Sequence, residues 1–193
     1  MTTVTDVDVE ALFDQLSRIE GKGEIVDGKV VEMTGTGPWP GDVATLILLA
    51  LFQYSKRTKQ GHAVGDRNTF RVNLPHRFSF SPDVAYHTGS RIPMKYYEGA
   101  PAFAVEVRSE NDYGRWSERE MAQKRADYFA AGTLVVWDID LLSNDVVRVY
   151  RATSPEEPTI YRPGDTAEAE PAVPGWTMPV NDLLPEDWTQ PRQ

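Results

Sequence analysis

The chain contains no cysteine. Disulfides, thiolate metal sites and a thiol nucleophile are therefore excluded, and a reducing compartment is the default expectation. Histidine is scarce: His62, His76 and His87 are the three present, and no two stand at metal-ligand spacing along the sequence. Each is expected at a turn or strand end without a catalytic role. No Gly-x-Ser-x-Gly elbow occurs, so a serine hydrolase of that type is not indicated. Long apolar runs are missing too. The longest, Val43 to Phe52, includes Thr45 and is too short to span a bilayer. With no basic-then-apolar leader at the N-terminus, a cytoplasmic protein with no membrane partner is expected. Positive charge is in deficit, with a net charge of −9. Such a balance argues against a nucleic-acid partner, because phosphate neutralisation dominates that affinity.

The deficit is uneven. Between Lys56 and Lys95 stand eight basic residues (Lys56, Arg57, Lys59, Arg67, Arg71, Arg77, Arg91, Lys95) against two acids, Asp66 and Asp83. The acid excess lies at the two ends instead, so a localised basic surface compatible with a phosphate backbone is one reading of the middle block. A solvated face of scattered charges is the other.

A length of 193 residues, 40% of them hydrophobic, suits one domain (1–193) with a substantial core. Thr5-Asp6-Val7-Asp8 has the pattern of a capping box. Val9, Leu12, Phe13, Leu16 and Ile19 then recur at helical spacing, so the first 23 residues hold a helix that Gly21 and Gly23 end. Ile25 to Val31 places β-branched residues on both sides of Asp27-Gly28, a hairpin signal. Gly35 to Gly41 is a breaker-rich loop, expected near a substrate entrance. A helix apolar nearly all round is expected from Asp42, as N-cap, to Arg57; such a helix is buried or lies in a dimer contact.

Strands are expected at His62–Val64, Asn68–Leu74, Phe78–Tyr86, Ala102–Val107 and Leu134–Ile139, with an edge strand at Asp145–Arg151. A helix over Arg115–Ala131 joins the fourth and fifth of these. Lys95-Tyr96-Tyr97 lies in a polar stretch whose tyrosines are candidates to stack on bases. After Arg151 the composition shifts: eight of 14 prolines lie between Pro155 and Pro191. Residues 152–193 read as a segment that docks back on the domain.

The chemistry concentrates between Phe78 and Trp137. Ala102-Phe103-Ala104-Val105-Glu106-Val107 is apolar except for Glu106. A carboxylate unpaired in such a strand costs several kcal/mol or titrates to its neutral form, on the order of the penalties for buried charge. A bound divalent cation is one way to keep it ionised. Strand alternation puts Ala104, Glu106 and Arg108 on one face. If the strand carrying Pro82-Asp83 pairs alongside, two hard carboxylate ligands meet at one sheet end, a set that suits magnesium and a phosphodiester. The plain structural alternative pairs Glu106 with Arg108 or Arg125. For Lys124 the corresponding alternative is an ion pair with Glu120, one helical turn away. Asp138 and Asp140 are further acids near a strand end, Asp140 reading as a turn residue.

These residues resemble the PD-(D/E)XK nuclease superfamily, and more narrowly its Uma-two branch of restriction-endonuclease-like proteins. Glu24-Ile25-Val26-Asp27-Gly28 to Met33 is similar to the branch's opening. Pro82-Asp83, Glu106-Val107-Arg108-Ser109, Lys124 to Tyr128 and Gly132, and Trp137 to Asp140 follow in the same order. Departures are present: Arg108 stands where many superfamily members carry the motif lysine, Glu120 replaces an aspartate, and Trp39-Pro40-Gly41-Asp42 replaces a usual histidine.

The resemblance implies an α/β (α+β) fold, a restriction-endonuclease-like mixed sheet flanked by helices with an N-terminal helix and hairpin. It implies Mg2+- or Mn2+-dependent hydrolysis of phosphodiester bonds in DNA. Asp83 and Glu106 would hold the ion with the Val107 carbonyl as third ligand, Lys124 would orient water, and Arg108 would hold the scissile phosphate. Glu24 is carried over as an extra acid near the metal, with Glu32 a weaker candidate. A homodimer is expected from the apolar helix and from the two strands of a duplex. The competing reading is a catalytically weak or inactive nuclease fold acting as a dimeric DNA- or protein-binding module. A hydrolase of smaller phosphate esters is a third.

Overall fold

The structure is a computed structural model that describes residues 8–89 and 92–185. Helix α1 (Val9–Leu16) is capped by Asp8, whose carboxylate accepts the Ala11 N–H at 3.1 Å. The cap is thus Asp8; Thr5, expected to open the box, lies outside the described residues. Phe13 and Leu16 pack on Ile25 of the hairpin that follows. Strands β1 (Lys22–Val26) and β2 (Lys29–Met33) pair antiparallel. Asp27 and Gly28 between them have φ of 50° and 69°, the two left-handed residues of a type I′ turn. Gly23 runs close beneath the end of α1, since a Cβ there would lie 2.5 Å from the Ile19 side chain and 3.1 Å from that of Leu16.

Helix α2 (Pro38–Thr58) starts at Pro38, not at Asp42 as expected. Proline at the first helical position gives up only an N–H that no intrahelical bond would use, so Gly37 takes the cap position. Short strands follow: β3 (His62–Val64), β4 (Phe70–Arg71), β5 (Ser79–Phe80), β6 (Val84–His87), β7 (Tyr97–Glu98) and β8 (Phe103–Val107). The strand expected over Phe78–Tyr86 is therefore split at Ser81-Pro82-Asp83, where proline cannot donate to a ladder, and its halves serve different sheets. Helix α3 (Arg115–Ala130) leads to β9 (Val135–Ile139), β10 (Val147–Arg151), β11 (Ser154–Tyr161), β12 (Thr166–Glu168) and β13 (Thr177–Pro179).

The central sheet runs β11-β10-β9-β8-β6-β3, with β8 and β9 parallel and the other pairs antiparallel. A mixed sheet results. The edge is β11 and not β10, which corrects the expectation; Pro155 and Pro158 on β11 are tolerated there because an outer strand leaves N–H groups unpaired anyway. On one face, Val43, Ile47, Leu51 and Tyr54 of α2 pack against Val84, Phe103, Val105 and Trp137. The proline-rich segment closes the same core. Trp176 lies 5.2 Å from the Trp137 ring, and Trp137 Nε1 donates to the Glu168 carbonyl at 3.0 Å. On the other face Ala85, Ala104 and Val136 meet Tyr128 of α3 and Phe70 and Phe80 of the small β5-β4-β7 sheet.

Alternation along the strands sorts the acids. Val105 and Val107 go to the first face, so Ala104 and Glu106 go to the second. Register pairs Val84 with Val105 and Glu106 with Asp138, which lines up Asp83, Glu106 and Asp138 across the second face beneath α3. Tyr96 and Tyr97 pack inward, with Tyr97 stacked on Phe70 and Tyr96 against Phe13, so neither is a free exposed ring. Register also sets His62 opposite His87, a pairing invisible in the sequence spacing. No described helix is long and apolar enough to cross a membrane.

Candidate active site

Asp83 is held from two sides. Its Oδ2 accepts the Val107 N–H at 2.8 Å, and its own N–H donates to the Val105 carbonyl at 3.1 Å. The break at Pro82 turns Asp83 onto the end of β8, so its carboxylate caps that strand. The Val107 contact is through its N–H; the residue lines the same cavity as Asp83 and Glu106. Lys22, on β1, reaches Asp83 Oδ1 at 2.5 Å.

Glu106 is fixed through one oxygen. Lys124 Nζ lies 2.9 Å from its Oε1, and the Tyr128 hydroxyl donates to the same atom at 2.6 Å. Among the described residues no donor reaches Oε2. Glu24 meets the same lysine, with Oε1 2.9 Å from Lys124 Nζ, while Arg77 reaches Oε2 at 2.5 Å and the Ser81 N–H donates to Oε1 at 2.9 Å. Arg77 is anchored in turn by Asp127 at 2.7 Å, and His76 and Gln123 hold Asp127. Helix, hairpin and sheet thus converge. Their side chains line a cavity of about 310 Å³ that Thr34 and Thr36 also border, the loop expected near the entrance.

The electrostatics differ between the two buried glutamates. Burial pushes the Glu106 carboxyl up; Lys124 opposes this and the nearby Asp83 charge adds to it, leaving the group above its ordinary value. Burial also pushes Glu24 up, but Lys124, Arg77 and the Ser81 N–H outweigh it and hold Glu24 below the usual carboxylate range. Burial disfavours the Lys124 ammonium, yet Glu106 and Glu24 raise it above an ordinary lysine, so it stays protonated. Burial and the Glu106 charge likewise keep the Tyr128 hydroxyl protonated.

Arg108 has another task than the one expected. Its Nε and Nη2 grip Asp138 at 2.8 and 2.9 Å, and Glu118 takes its remaining face. The guanidinium is buried and bound to acids of its own chain at the border of the cavity, where a phosphate would have to compete with them. Asp138 is also met by Arg125 at 3.3 Å, so it serves this clamp. Asp140 accepts from the Leu142 N–H and the Tyr113 hydroxyl, a turn role as expected. Lys124 pairs with Glu24 and Glu106 across elements, and Glu120 is not its partner. Glu32 is exposed on β2 and lies outside the cavity lining.

Two members of the basic block are paired with acids. Arg77 is buried against Glu24 and Asp127, Arg71 pairs with Glu10, and Arg91 lies outside the described residues. Lys56, Arg57, Lys59, Arg67 and Lys95 remain exposed.

Asp83 and Glu106 present hard oxygens to a cavity with room for solvent, and Glu106 Oε2 has no donor among the described residues. This donor set fits Mg2+ or Mn2+. Among the described residues no three His, Cys, Asp or Glu side chains form a closed cation cage. A catalytic ion bound by one or two carboxylates with water and substrate oxygens does not need one.

Comparison gives the family. The Uma2 model, described as "Putative restriction endonuclease", matches residues 10–181, and the chain belongs to that family. The structure is similar to that of a "putative nuclease belonging to DUF820" from Anabaena variabilis ATCC 29413, with a TM-score of 0.70 at 18% identity over 89% of this chain and 96% of that one. No curated protein matches the sequence.

Proposed function

We propose that the protein is a divalent-metal-dependent endonuclease that hydrolyses phosphodiester bonds in DNA. The observation that carries this reading is the meeting of Asp83, just ahead of β6, and Glu106, on β8, in the lining of one cavity beside Lys124. Asp83 and Glu106 would hold Mg2+ or Mn2+, with the Val107 backbone beside them. When bound, the ion supplies a nucleophilic water at neutral pH and offsets charge on the attacked phosphate.

The chain's own groups do the rest. Tyr128 and Lys124 hold Glu106 by one oxygen and leave the other without a donor among the described residues. Lys124, kept protonated, cannot accept a proton; it orients water and stabilises negative charge developing on the phosphoryl oxygens. Glu24 sets the Lys124 position, and Arg77 sets that of Glu24. Arg108 secures β8 to β9 through Asp138.

Two further assignments belong to this reading. The exposed Leu46, Leu49 and Phe52 on α2 support a homodimer. The absence of cysteine supports a cytoplasmic setting.

One observation favours a second reading, a binding module with little catalysis: the Lys22 ammonium occupies Asp83 Oδ1. Plasmid incubated with the protein and magnesium or manganese separates the two, with Asp83→Ala and Glu106→Ala alongside. Cleavage by the wild type that both variants lose supports the nuclease. No cleavage, with DNA still bound, supports the module, and cleavage persisting in both variants removes the assigned residues.

A further inference from the structure

We propose that Lys22 is a displaceable counter-ion of the cation site, standing on Asp83 in the ion-free protein and passing to Asp66 when a divalent ion binds. The inference rests on the metal reading above and concerns how that site fills.

Each ligand carboxylate has one oxygen fixed by scaffold donors. For Glu106 it is Oε1, held by Lys124 and Tyr128; for Asp83 it is Oδ2, held by the Val107 N–H. The oxygens left for an ion are Glu106 Oε2 and Asp83 Oδ1. Lys22 sits on the second of these at 2.5 Å. An ammonium and a divalent ion on one oxygen repel, so filling the site must move the lysine.

Somewhere to go is already in contact. Lys22 Nζ is 3.1 Å from Asp66 Oδ1, and Asp66 is 46% exposed where Lys22 is 9% exposed. Lys22 borders the active-site cavity and also a second cavity of about 430 Å³ that Arg67, Ser81 and Tyr96 line, so the residue stands between two open spaces. A lysine suits the role. Its ammonium is a point charge on a flexible four-carbon stem, whereas a guanidinium fork such as Arg108 is held by several oxygens at once.

Calorimetric titration of the full chain with manganese chloride tests this, using Lys22→Met, Asp66→Asn, their double variant and Asp83→Ala. Lys22→Met is expected to tighten manganese binding on the order of tenfold, since the competing ion pair is gone. Asp66→Asn is expected to weaken it several-fold in the wild-type background and to have no effect in the Lys22→Met background, because Asp66 acts only through the lysine. Lys22→Gln, which keeps a polar end group, replaces Lys22→Met if circular dichroism shows the latter unfolded. Equal weakening by Asp66→Asn in both backgrounds would mean that Asp66 acts by its field alone and overturns the hand-off. Unchanged or weaker binding by the Lys22 variant overturns it as well. A different result marks failure of the metal reading itself, and the hand-off falls with it: no manganese binding by wild type or Lys22 variant, or binding that Asp83→Ala leaves intact.

Discussion

Lys124 reaches across from α3 to Glu106, 2.9 Å away on β8, and leaves Glu120, one turn back on its own helix, without it. Glu106 sits on a strand that buries its neighbours, so its charge is stabilised far more by an ammonium than a solvated helix residue would be. Because Glu24 shares that ammonium, the lysine is locked in the protonated state. Lys124→Met is therefore expected to reduce plasmid cleavage about 10²- to 10³-fold, the range for loss of one preorganised electrostatic donor. Glu120→Gln leaves the rate at the wild-type level. Timed cleavage assays, with circular dichroism to verify folding, check both.

Glu24 provides a pH signature. Its folded pKa lies below the unfolded one, so its contribution to stability is full above the unfolded value of about 4.3 and is lost as pH falls through the folded value. At neutral pH, Glu24→Gln breaks a buried pair and is expected to cost on the order of 3–5 kcal/mol. In acid the wild type loses this advantage and the two unfolding curves converge. Urea titrations at neutral pH and below about pH 4 measure the gap; a gap that widened in acid would contradict the assignment.

Arg108→Leu separates a clamp on Asp138 from a phosphate contact. Asp138, 1% exposed, would keep only Arg125 as a cationic partner, so the melting temperature is expected to fall by roughly 10 °C. DNA affinity at low temperature, read by fluorescence anisotropy, is expected to stay unchanged. A variant that melts normally but binds DNA more weakly would return Arg108 to the phosphate.

The proposed homodimer would use α2. Leu49 and Phe52 are 52% and 49% exposed on one helical face. Leu49→Asp combined with Phe52→Asp is expected to convert a sedimenting dimer to monomer without loss of fold. A wild type that sediments only as monomer at micromolar concentration removes the homodimer.

What the sequence showed, and what it hid, follows the range of the interactions. The Asp27-Gly28 hairpin, the α3 span and the apolar β9 strand are local signals, and all three stand in the structure. Glu106 stood out because a lone acid interrupts an apolar strand, and Asp83 because it follows a proline. Lys22 was missed; on β1 it alternates with Glu24 at a spacing of two, which places both on one face, but nothing local says that the face meets Asp83. Arg77 looked like part of a basic block and Arg108 like a free cation, because a charge's partners far along the chain set whether it is available. The split of Phe78–Tyr86 was signalled by Pro82, whose missing N–H outweighs the β-formers around it.

The most direct test of the account is a crystal of the protein soaked in manganese and measured for anomalous scattering. One peak is expected in the cavity within about 2.0–2.4 Å of a carboxylate oxygen of both Asp83 and Glu106, with Lys22 drawn away from Asp83. A cavity with no manganese at saturating concentration, or an ion held elsewhere while Lys22 stays on Asp83, would contradict it.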